Sequence, residues 1–359
     1  MQAPTRITHP HDPSLQTLEQ QLLALSPELD QPGSWPAKQL ALCGQYGVFE
    51  WFAQPAWSGQ GWTAADVIRG YLALSRGCLT TTFVITQRTG AYLRLEASEN
   101  DQLKQELLPA WVRGEQFATV GISHLTTSRR HLAQPVLRAT KTAAGYVLDG
   151  YTPWVTGGRQ AQTIVVGATL DNGLELLLAL PTDAPGVMIP EAPPLVGLSA
   201  SHTGPVYCER VELGSDRLVA GPAPQIMKQG GAATGGLQTS TLATGLAQAA
   251  LTFLRQESQR RADLTTPCDA LQHECDQLEM HLLQAAESQP VCSTEELRTR
   301  ANSLALRATQ AALAAAKGTG YVWGHPAGRW CREALFFLVW SCPQPVITAN
   351  LCEFAGIES

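Results

Sequence analysis

The spacing of apolar and polar residues divides the chain into three zones. Residues from about 14 to 115 and from about 223 onward have the spacing of helices, whereas residues 116–222 hold short β-prone runs separated by turn residues. The pattern predicts a helical domain over residues 1–115, a β-sandwich or barrel domain over 116–222 and a helical bundle over 223–359. The predicted fold class is therefore α+β.

Several predicted helices have recognisable ends or faces. Thr63 is placed to cap "AADVIRGYLALSRG", and Ser98 is placed to cap "ENDQLKQELLPAWVRG". The Ala-rich run "TRANSLALRATQAALAAAKG" stops at Gly318, a residue type that ends helices. "RWCREALFFLVW" is apolar nearly all round, which predicts a deeply buried helix. One face of a further helix consists of Leu271, Cys275, Leu278 and Leu282.

The middle zone contains a sequence that predicts a β-hairpin. Asp149-Gly150 separates "GYVL" from "YTPWVT", and this dipeptide is typical of a two-residue turn. Pro153 lacks a backbone N–H, which predicts an edge strand or a strand whose end leaves the sheet. Gly157-Gly158 then allow a backbone or a ligand to approach closely. We expect the return strand to carry Tyr151, Pro153 and Val155 on one face and Thr152, Trp154 and Thr156 on the other.

Composition narrows the classes of function. The 359 residues carry a net charge of −6 with a pI near 5.8, and no cluster of Lys and Arg stands out, which argues against a nucleic-acid partner. No run of about 18 uncharged apolar residues is present, so we expect no membrane span. The N-terminus has no apolar core, so we do not expect a secretory signal there. Nine scattered cysteines without a CxxC pair, and histidines without metal-ligand spacing, predict no disulfide framework, no metal site and a cytoplasmic location.

Three stretches of the sequence resemble the acyl-CoA dehydrogenase family. "GYVLDGYTPWVTGG" stands in the place of the family's "GYxLNGxKxWITNG". "ENDQLKQELLPAWVRGEQFATVGISHL" is similar to "GTEEQKQxYLPxLxxGExxxAFALTEP", and "AAAKGTGYVWGHPAGRWCREA" is similar to "QxxGGxGYxxxxPxxRxxRDA". The resemblance runs from about Trp57 to the end of the chain. It implies an N-terminal helical domain, a middle β-domain and a C-terminal four-helix bundle.

The resemblance also implies an FAD site. In the family, the Trp-Ile-Thr of the hairpin lies against the flavin, and a threonine hydroxyl contacts the flavin where Ser123 stands in this chain. Arg261 aligns with an arginine that reaches the FAD of a neighbouring subunit, so the resemblance implies a homodimer or homotetramer. The cofactor-binding residues that it implies are Ile122, Ser123, Trp154, Val155, Thr156, Arg261, Gly318 and Gly320.

The family's catalytic glutamate has no counterpart at either of its usual positions. Removal of an α-proton from an acyl thioester requires a carboxylate held in a dry pocket. Ser341 falls on one glutamate position, and the alternative region, residues 230–254, contains no acid. Glu333 matches an Asp or Glu of the family's helix, which indicates a structural role. Structural roles are also the better interpretation of His124 and Cys342, whose alternatives are a proton carrier and a nucleophile.

The family's phosphate-binding sequence is also altered. "ALTEPGAGSD" has become "GISHLTTSRR", so Arg129 and Arg130 either contact phosphate by charge or form a solvated basic pair. Three hypotheses follow. The first is an FAD-dependent oxidoreductase that acts on an acyl thioester, on CoA or on a carrier, with a non-standard or absent base. The second is a monooxygenase of the same fold that uses reduced flavin, and the third is a catalytically silent protein that binds an acyl partner or acts as a scaffold. The sequence does not define the acyl chain or the redox partner.

Overall fold

The computed structural model describes residues 5–126, 135–229 and 236–357. Arg129 and Arg130 lie outside these ranges, as does part of the Gly-rich stretch that precedes Gln238. The helices before the strands are α1 (Pro13–Leu25), α2 (Ala37–Gln45), α3 (Ala64–Gly77), α4 (Leu79–Glu96) and α5 (Asp101–Val112), and a one-turn helix, α6 (Ser123–Thr126), follows the first strand. The helices after the strands are α7 (Gln238–Ser258), α8 (Thr265–Ala286), α9 (Thr294–Gly320), α10 (Pro326–Ala334) and α11 (Gln344–Ala355).

Side-chain caps fix where α3 and α5 begin. Thr63 caps α3 as predicted, because its side chain accepts a hydrogen bond from a backbone N–H of the first turn. The predicted cap of α5 is wrong. Asn100 Oδ1 accepts from Leu103 N at 3.1 Å, whereas Ser98 Oγ donates to the carbonyl oxygen of Val219 at 2.6 Å. Ser98 and Asn100, two residues apart, could each cap this helix, and the hydrogen bond of Ser98 to β8 leaves Asn100 as the cap.

The strands form one sheet rather than two separate ones. Its path runs β6-β7-β3-β2-β4-β5-β8, and β1 pairs with β4 in parallel. The strands are β1 (Ala118–Gly121), β2 (Leu137–Lys141), β3 (Gly145–Thr156), β4 (Thr163–Leu170), β5 (Glu175–Pro181), β6 (Val187–Met188), β7 (Thr203–Gly214) and β8 (Leu218–Ala223). Two of the β-prone runs between residues 116 and 222, "TIVVGATL" and "LELLLAL", form β4 and β5, joined by a turn at Asp171-Asn172-Gly173.

β4 and β5 are buried on both faces. Val165 and Leu177 belong to a core that the sheet shares with α4 and α5, whereas Ile164 and Leu178 belong to a core enclosed by the strands themselves. Alternate residues therefore enter different cores, which explains why both strands are apolar throughout. The sheet is thereby fixed against the N-terminal helices.

The predicted hairpin at Asp149-Gly150 is wrong. β3 runs continuously from Gly145 to Thr156, and the dipeptide lies at a shift of register against β7. Asp149 Oδ1 accepts a hydrogen bond from the backbone N of Arg210 at 2.8 Å, so its side chain is bonded across the sheet. The Asp-Gly dipeptide is typical of a turn, but here pairing with β7 keeps the strand extended. The extra residue of β3 forms a β-bulge in this pairing.

A second shift of register accommodates Pro153. It lies between Thr152 and Val155, and it allows β3 to continue without the proline N–H. β2 pairs with β3 only up to Gly150, so among the described strands the second half of β3 pairs with β7 alone. The expected edge is therefore confined to half of the strand.

The C-terminal helices include the predicted apolar face, but two of them end at residues other than those predicted. Cys275, Leu278 and Leu282 are fully buried on α8, as predicted. The predicted helix over "RWCREALFFLVW" is instead α10 followed by a 3₁₀ turn over Leu335–Leu338, and Val339 is 78% exposed. α9 departs from helical geometry at Lys317, whose φ of 56° lies in the left-handed region, one residue before the predicted end.

The largest hydrophobic core joins the two ends of the chain. It contains residues from Ile7 to Phe337, and α7 packs against both α3 and α9. The core inside the sheet draws only on residues 137–213. No helix in the described ranges combines the length and apolar composition that crossing a membrane requires.

Candidate active site

The end of β1 lies directly against β3. A Cβ atom on Gly121 would come within 2.9 Å of Thr152 Cγ2 and 3.2 Å of Val155 Cγ2, so glycine permits this approach. Ile122 is buried, and the buried hydroxyl oxygen of Ser123 has no hydrogen-bond partner among the described residues. The two strands thus bring the predicted residues Ile122, Ser123 and Val155 into one neighbourhood.

The three consecutive residues Trp154, Val155 and Thr156 differ in exposure. The Trp154 side chain is 48% exposed, whereas Val155 and Thr156 are 1% and 2% exposed. The Thr156 hydroxyl lies 2.9 Å from Thr203 Oγ1, which lies 2.8 Å from Ser201 Oγ. Three hydroxyls that share two bonds leave one hydroxyl hydrogen without an acceptor in the described part of the chain. Of these three side chains, Trp154 alone is open to solvent.

His124 is held by the backbone of β4. Its Nε2 lies 2.8 Å from the carbonyl oxygen of Gly167, which requires Nε2 to carry the proton, and Nδ1 has no partner among the described residues. Burial lowers the pKa of His124 to about 4, because desolvation disfavours the imidazolium. The ring is therefore neutral near pH 7, which suits a structural role better than proton transfer.

The remaining predicted cofactor residues lie together at the end of α9. Arg261 Nη1 donates to the carbonyl oxygen of Ala315 at 2.7 Å, and Nη2 lies 3.5 Å from Asp263 Oδ2. Gly318 has open space where a side chain would stand, whereas Gly320 is tightly packed. No hydrogen bond or ion pair of the described residues joins this group to the β1–β3 group within one copy of the chain.

The segment at the usual glutamate position offers no base. Ser341 stands in an exposed turn with φ 43°, and its hydroxyl has no hydrogen-bond partner in the described ranges. Arg298 Nη2 donates to the carbonyl oxygens of Phe337 and Trp340 at 3.2 and 2.9 Å, which fixes this turn from α9. Cys342 is buried, and burial raises the pKa of its thiol, so it stays protonated near neutral pH.

Sequence reasoning missed a charged cluster beside a cavity of about 600 Å³. Asp30 Oδ1 lies 2.9 Å from Arg332 Nη2, and Asp30 Oδ2 lies 3.7 Å from Arg329 Nη1. Glu333 is next to them and accepts a hydrogen bond from Thr80 Oγ1 at 3.4 Å. Burial raises the pKa of Glu333 to about 7. The spacing of the two arginines and Glu333 was visible in the sequence, but their partner Asp30 is too distant along the chain to be recognised.

Comparisons with known proteins agree with the resemblance of the three motifs. No family model matches the chain. The short-chain specific mitochondrial acyl-CoA dehydrogenase of Bos taurus is 24% identical over 268 residues, which cover 71% of this chain and 63% of that protein. The probable acyl-CoA dehydrogenase YngJ of Bacillus subtilis (strain 168) is 22% identical over 252 residues, which cover 68% and 66%. The matched region thus spans just under two thirds of these relatives.

The architecture extends the likeness to nearly the whole chain. A glutaryl-coenzyme A dehydrogenase in complex with glutaryl-CoA has a TM-score of 0.83 at 15% identity, with 97% of this chain and 96% of that chain covered. Butyryl-CoA dehydrogenase from Megasphaera elsdenii has a TM-score of 0.76 at 18% identity, with 95% and 97% covered. FMN-bound TdsC from Paenibacillus sp. A11-2 has a TM-score of 0.70 at 14% identity, with 94% of each chain covered.

The chain is similar to the acyl-CoA dehydrogenase superfamily in sequence and shares its fold.

The flavin site of this superfamily can be compared with the donors that this chain offers. At the end of β1 and the adjoining half of β3, Ser123 and Thr152 carry buried hydroxyls without a partner among the described residues. The linked hydroxyls of Thr156, Thr203 and Ser201 also have one hydrogen without an acceptor among the described residues. The half-exposed ring of Trp154 lies on the same half of β3. Unused hydroxyls beside an aromatic plate suit a flat ring that carries several nitrogen and oxygen acceptors. The residues present are therefore compatible with a flavin here.

Proposed function

We propose that this protein is an FAD-dependent oxidoreductase that acts on an acyl thioester, either on CoA or on a carrier protein. The observation that carries the proposal is the group of unpartnered hydroxyls beside Trp154, at the strand ends where the superfamily motif lies. FAD would supply the electron acceptor for the substrate hydride. In this chain Trp154 would cover the ring, and the hydroxyls of Ser123 and Thr156 would orient it through hydrogen bonds.

The proposed reaction proceeds without the usual glutamate. Ser341 is exposed and has no carboxylate to activate it in the described ranges, and the first turn of α7 contains no acid. A serine hydroxyl is not a base near neutral pH without such a partner. The base is therefore non-standard, or the substrate is one whose oxidation needs none.

The test is flavin binding followed by reduction with substrate. We expect purified protein to show a flavin spectrum and to be bleached by an acyl thioester in the absence of oxygen. Trp154→Ala should weaken FAD binding about tenfold or more, because a stacking contact is lost. Tyr207→Ala, which removes another exposed ring from the same sheet, should not. A protein that retains flavin but is not bleached by any thioester of a broad panel would contradict the dehydrogenase reaction and favour the silent acyl-binding or scaffold function.

A monooxygenase that uses reduced flavin is the second candidate. The missing carboxylate at Ser341 favours it, and a protein of similar fold, TdsC, binds FMN. Oxygen consumption coupled to product formation, in the presence of a flavin reductase, distinguishes it from the first. The absence of any oxygen-dependent product would exclude it.

We further propose a cytoplasmic homodimer or homotetramer, with domain boundaries after residues 115 and 222. Exposed apolar side chains on and next to α11, at Leu351, Phe354 and Ile357, support a contact between copies. Arg261 would reach the FAD of the neighbouring copy across this contact. Arg261→Ala should therefore lower flavin retention, whereas Arg260→Ala, at an adjacent and more exposed arginine, should leave it unchanged. Equal flavin content in both variants would exclude that role for Arg261.

A further inference from the structure

A second cavity, of about 590 Å³, lies where α4 ends, α5 begins and β8 forms the last strand of the sheet path. It is separate from the β1–β3 group, and none of the superfamily motifs quoted above assigns a function to it. Its walls include Arg94, Glu99, Leu218, Ala220 and Ile226.

Arg94 is a buried cation in the wall of this cavity. It is 7% exposed, and among the described residues no carboxylate lies within ion-pair distance of it. Its Nη1 donates to the carbonyl oxygen of Gly90 at 2.7 Å, and its Nε has no partner. The two internal segments outside the described ranges, residues 127–134 and 230–235, contain no Asp or Glu. Within the described ranges and these two segments, the charge of Arg94 therefore has no counter-ion.

Arg88, Arg298 and Arg329 each also have one unpartnered nitrogen among the described residues, but each has a further partner that Arg94 lacks. Arg88 stacks over the Phe49 ring at 3.9 Å. Arg329 has Asp30, and Arg298 donates to two backbone carbonyls of the turn that precedes α11. Arg94 combines burial with a free edge at a cavity, which is the arrangement expected where an external anion completes the charge balance.

The free edge of Arg94 matches a carboxylate. Because Nη1 is used by Gly90, the remaining edge consists of Nε and Nη2, whose two parallel N–H groups fit two oxygens of one carboxylate. A single unpaired cation, with exposed Glu99 also on the cavity wall, suits a monoanion better than a dianion. Leu218, Ala220 and Ile226 supply apolar surface for a small organic body.

We propose that this cavity binds a small organic monocarboxylate through the Nε–Nη2 edge of Arg94. The site is independent of the flavin and of the proposed reaction. Burial lowers the pKa of Arg94 to about 10, because desolvation disfavours the charged guanidinium. Arg94 is still charged near pH 7, and a bound carboxylate offsets the desolvation penalty.

The test compares acetate, butyrate, hexanoate and benzoate with the matching primary amides and with inorganic phosphate, by calorimetry and thermal unfolding of the full chain. We expect at least one monocarboxylate to bind at one site per chain and to raise Tm by several degrees at about 100 times its Kd. The amide of the same shape should not bind. Arg94→Met should abolish binding, and Arg94→Lys should weaken it about tenfold or more, because lysine lacks the fork.

A structural role for Arg94 makes different predictions. Arg94→Met removes a buried unpaired charge, so we expect the ligand-free variant to have a Tm equal to or above that of the wild type. Arg113→Met, at an exposed arginine paired with Glu115, is the control and should bind carboxylate normally. Failure of all four carboxylates to bind the wild type would overturn the proposal, and a lower Tm of Arg94→Met would then assign Arg94 a structural role. Binding of phosphate alone, or carboxylate binding that survives Arg94→Met, would overturn it as well.

Discussion

Among single residues, Glu333 has an ionisation that is coupled to folding. It is buried beside Asp30, Arg329 and Arg332, yet its only hydrogen bond in the described part of the chain is with Thr80. Desolvation outweighs the two arginines and raises its pKa from 4.5 to about 7. The folded state therefore favours the protonated form, and the protein loses stability as the pH rises from about 4.5 to 7.

Glu333→Gln should remove this pH dependence. A shift of about 2.5 pH units corresponds to about 3 kcal/mol, so the variant should be more stable than the wild type by about that amount at pH 8 and equal to it at pH 4. Urea unfolding at the two pH values measures the difference. A variant that is destabilised equally at both would show that the carboxylate is held ionised by the arginines.

At the scale of elements, β3 carries the predicted flavin residues at a position set by two bulges. Gly150 has φ 121°, and a Cβ atom there would lie 2.1 Å from the carbonyl oxygen of Val136. The first bulge therefore needs glycine for both conformation and space. The second bulge places Trp154 toward solvent while its neighbours stay buried.

Gly150→Ala should destabilise the protein by roughly 3 kcal/mol or more, because a backbone clash adds to left-handed strain. Gly173→Ala is the matched control: its φ is 82°, nothing lies within 4 Å of the added carbon, and the cost should be about 1–2 kcal/mol. Thermal unfolding of both variants measures the gap. Equal losses would mean that strain alone sets the cost.

Sequence patterns predicted most elements of this fold but not the details of the site. The sequence pattern correctly predicted strands at β4 and β5 and the apolar face of α8, because apolar periodicity reports burial directly. Asp149-Gly150 was misread because a turn dipeptide and a bulge share the same local signal. The superfamily motif located Ser123 near Val155, but the burial of Thr156 depends on Thr203, which only tertiary structure brings close.

At the scale of the whole molecule, Asp30 links the N-terminal segment to α10. Its carboxylate bonds Arg332 and faces Arg329, and the side chains of Asp30 and Arg329 are both more than nine-tenths buried. Removing one partner of such a cluster leaves buried charge uncompensated, which costs more than the pair itself contributes.

Asp30→Asn should therefore lower the free energy of unfolding by about 3 kcal/mol. Glu28→Gln breaks the exposed pair with Lys38 in the same segment and should cost less than about 1 kcal/mol. Chemical denaturation of the two variants provides the comparison. Similar small losses would show that solvent reaches the Asp30 cluster.

The core that joins both ends of the chain also has a consequence for the order of folding. Its residues run from Ile7 to Phe337, so α1 to α3 cannot complete the burial of their apolar faces until α7 to α10 have been synthesised. The buried residues of the core enclosed by the strands lie between 137 and 213, which are far closer in sequence. Loop closure therefore favours the sheet as the first stable unit on the ribosome, while α1 to α3 still lack their C-terminal partners. During synthesis those helices expose apolar surface for longest, and chaperones would be expected to engage the chain there.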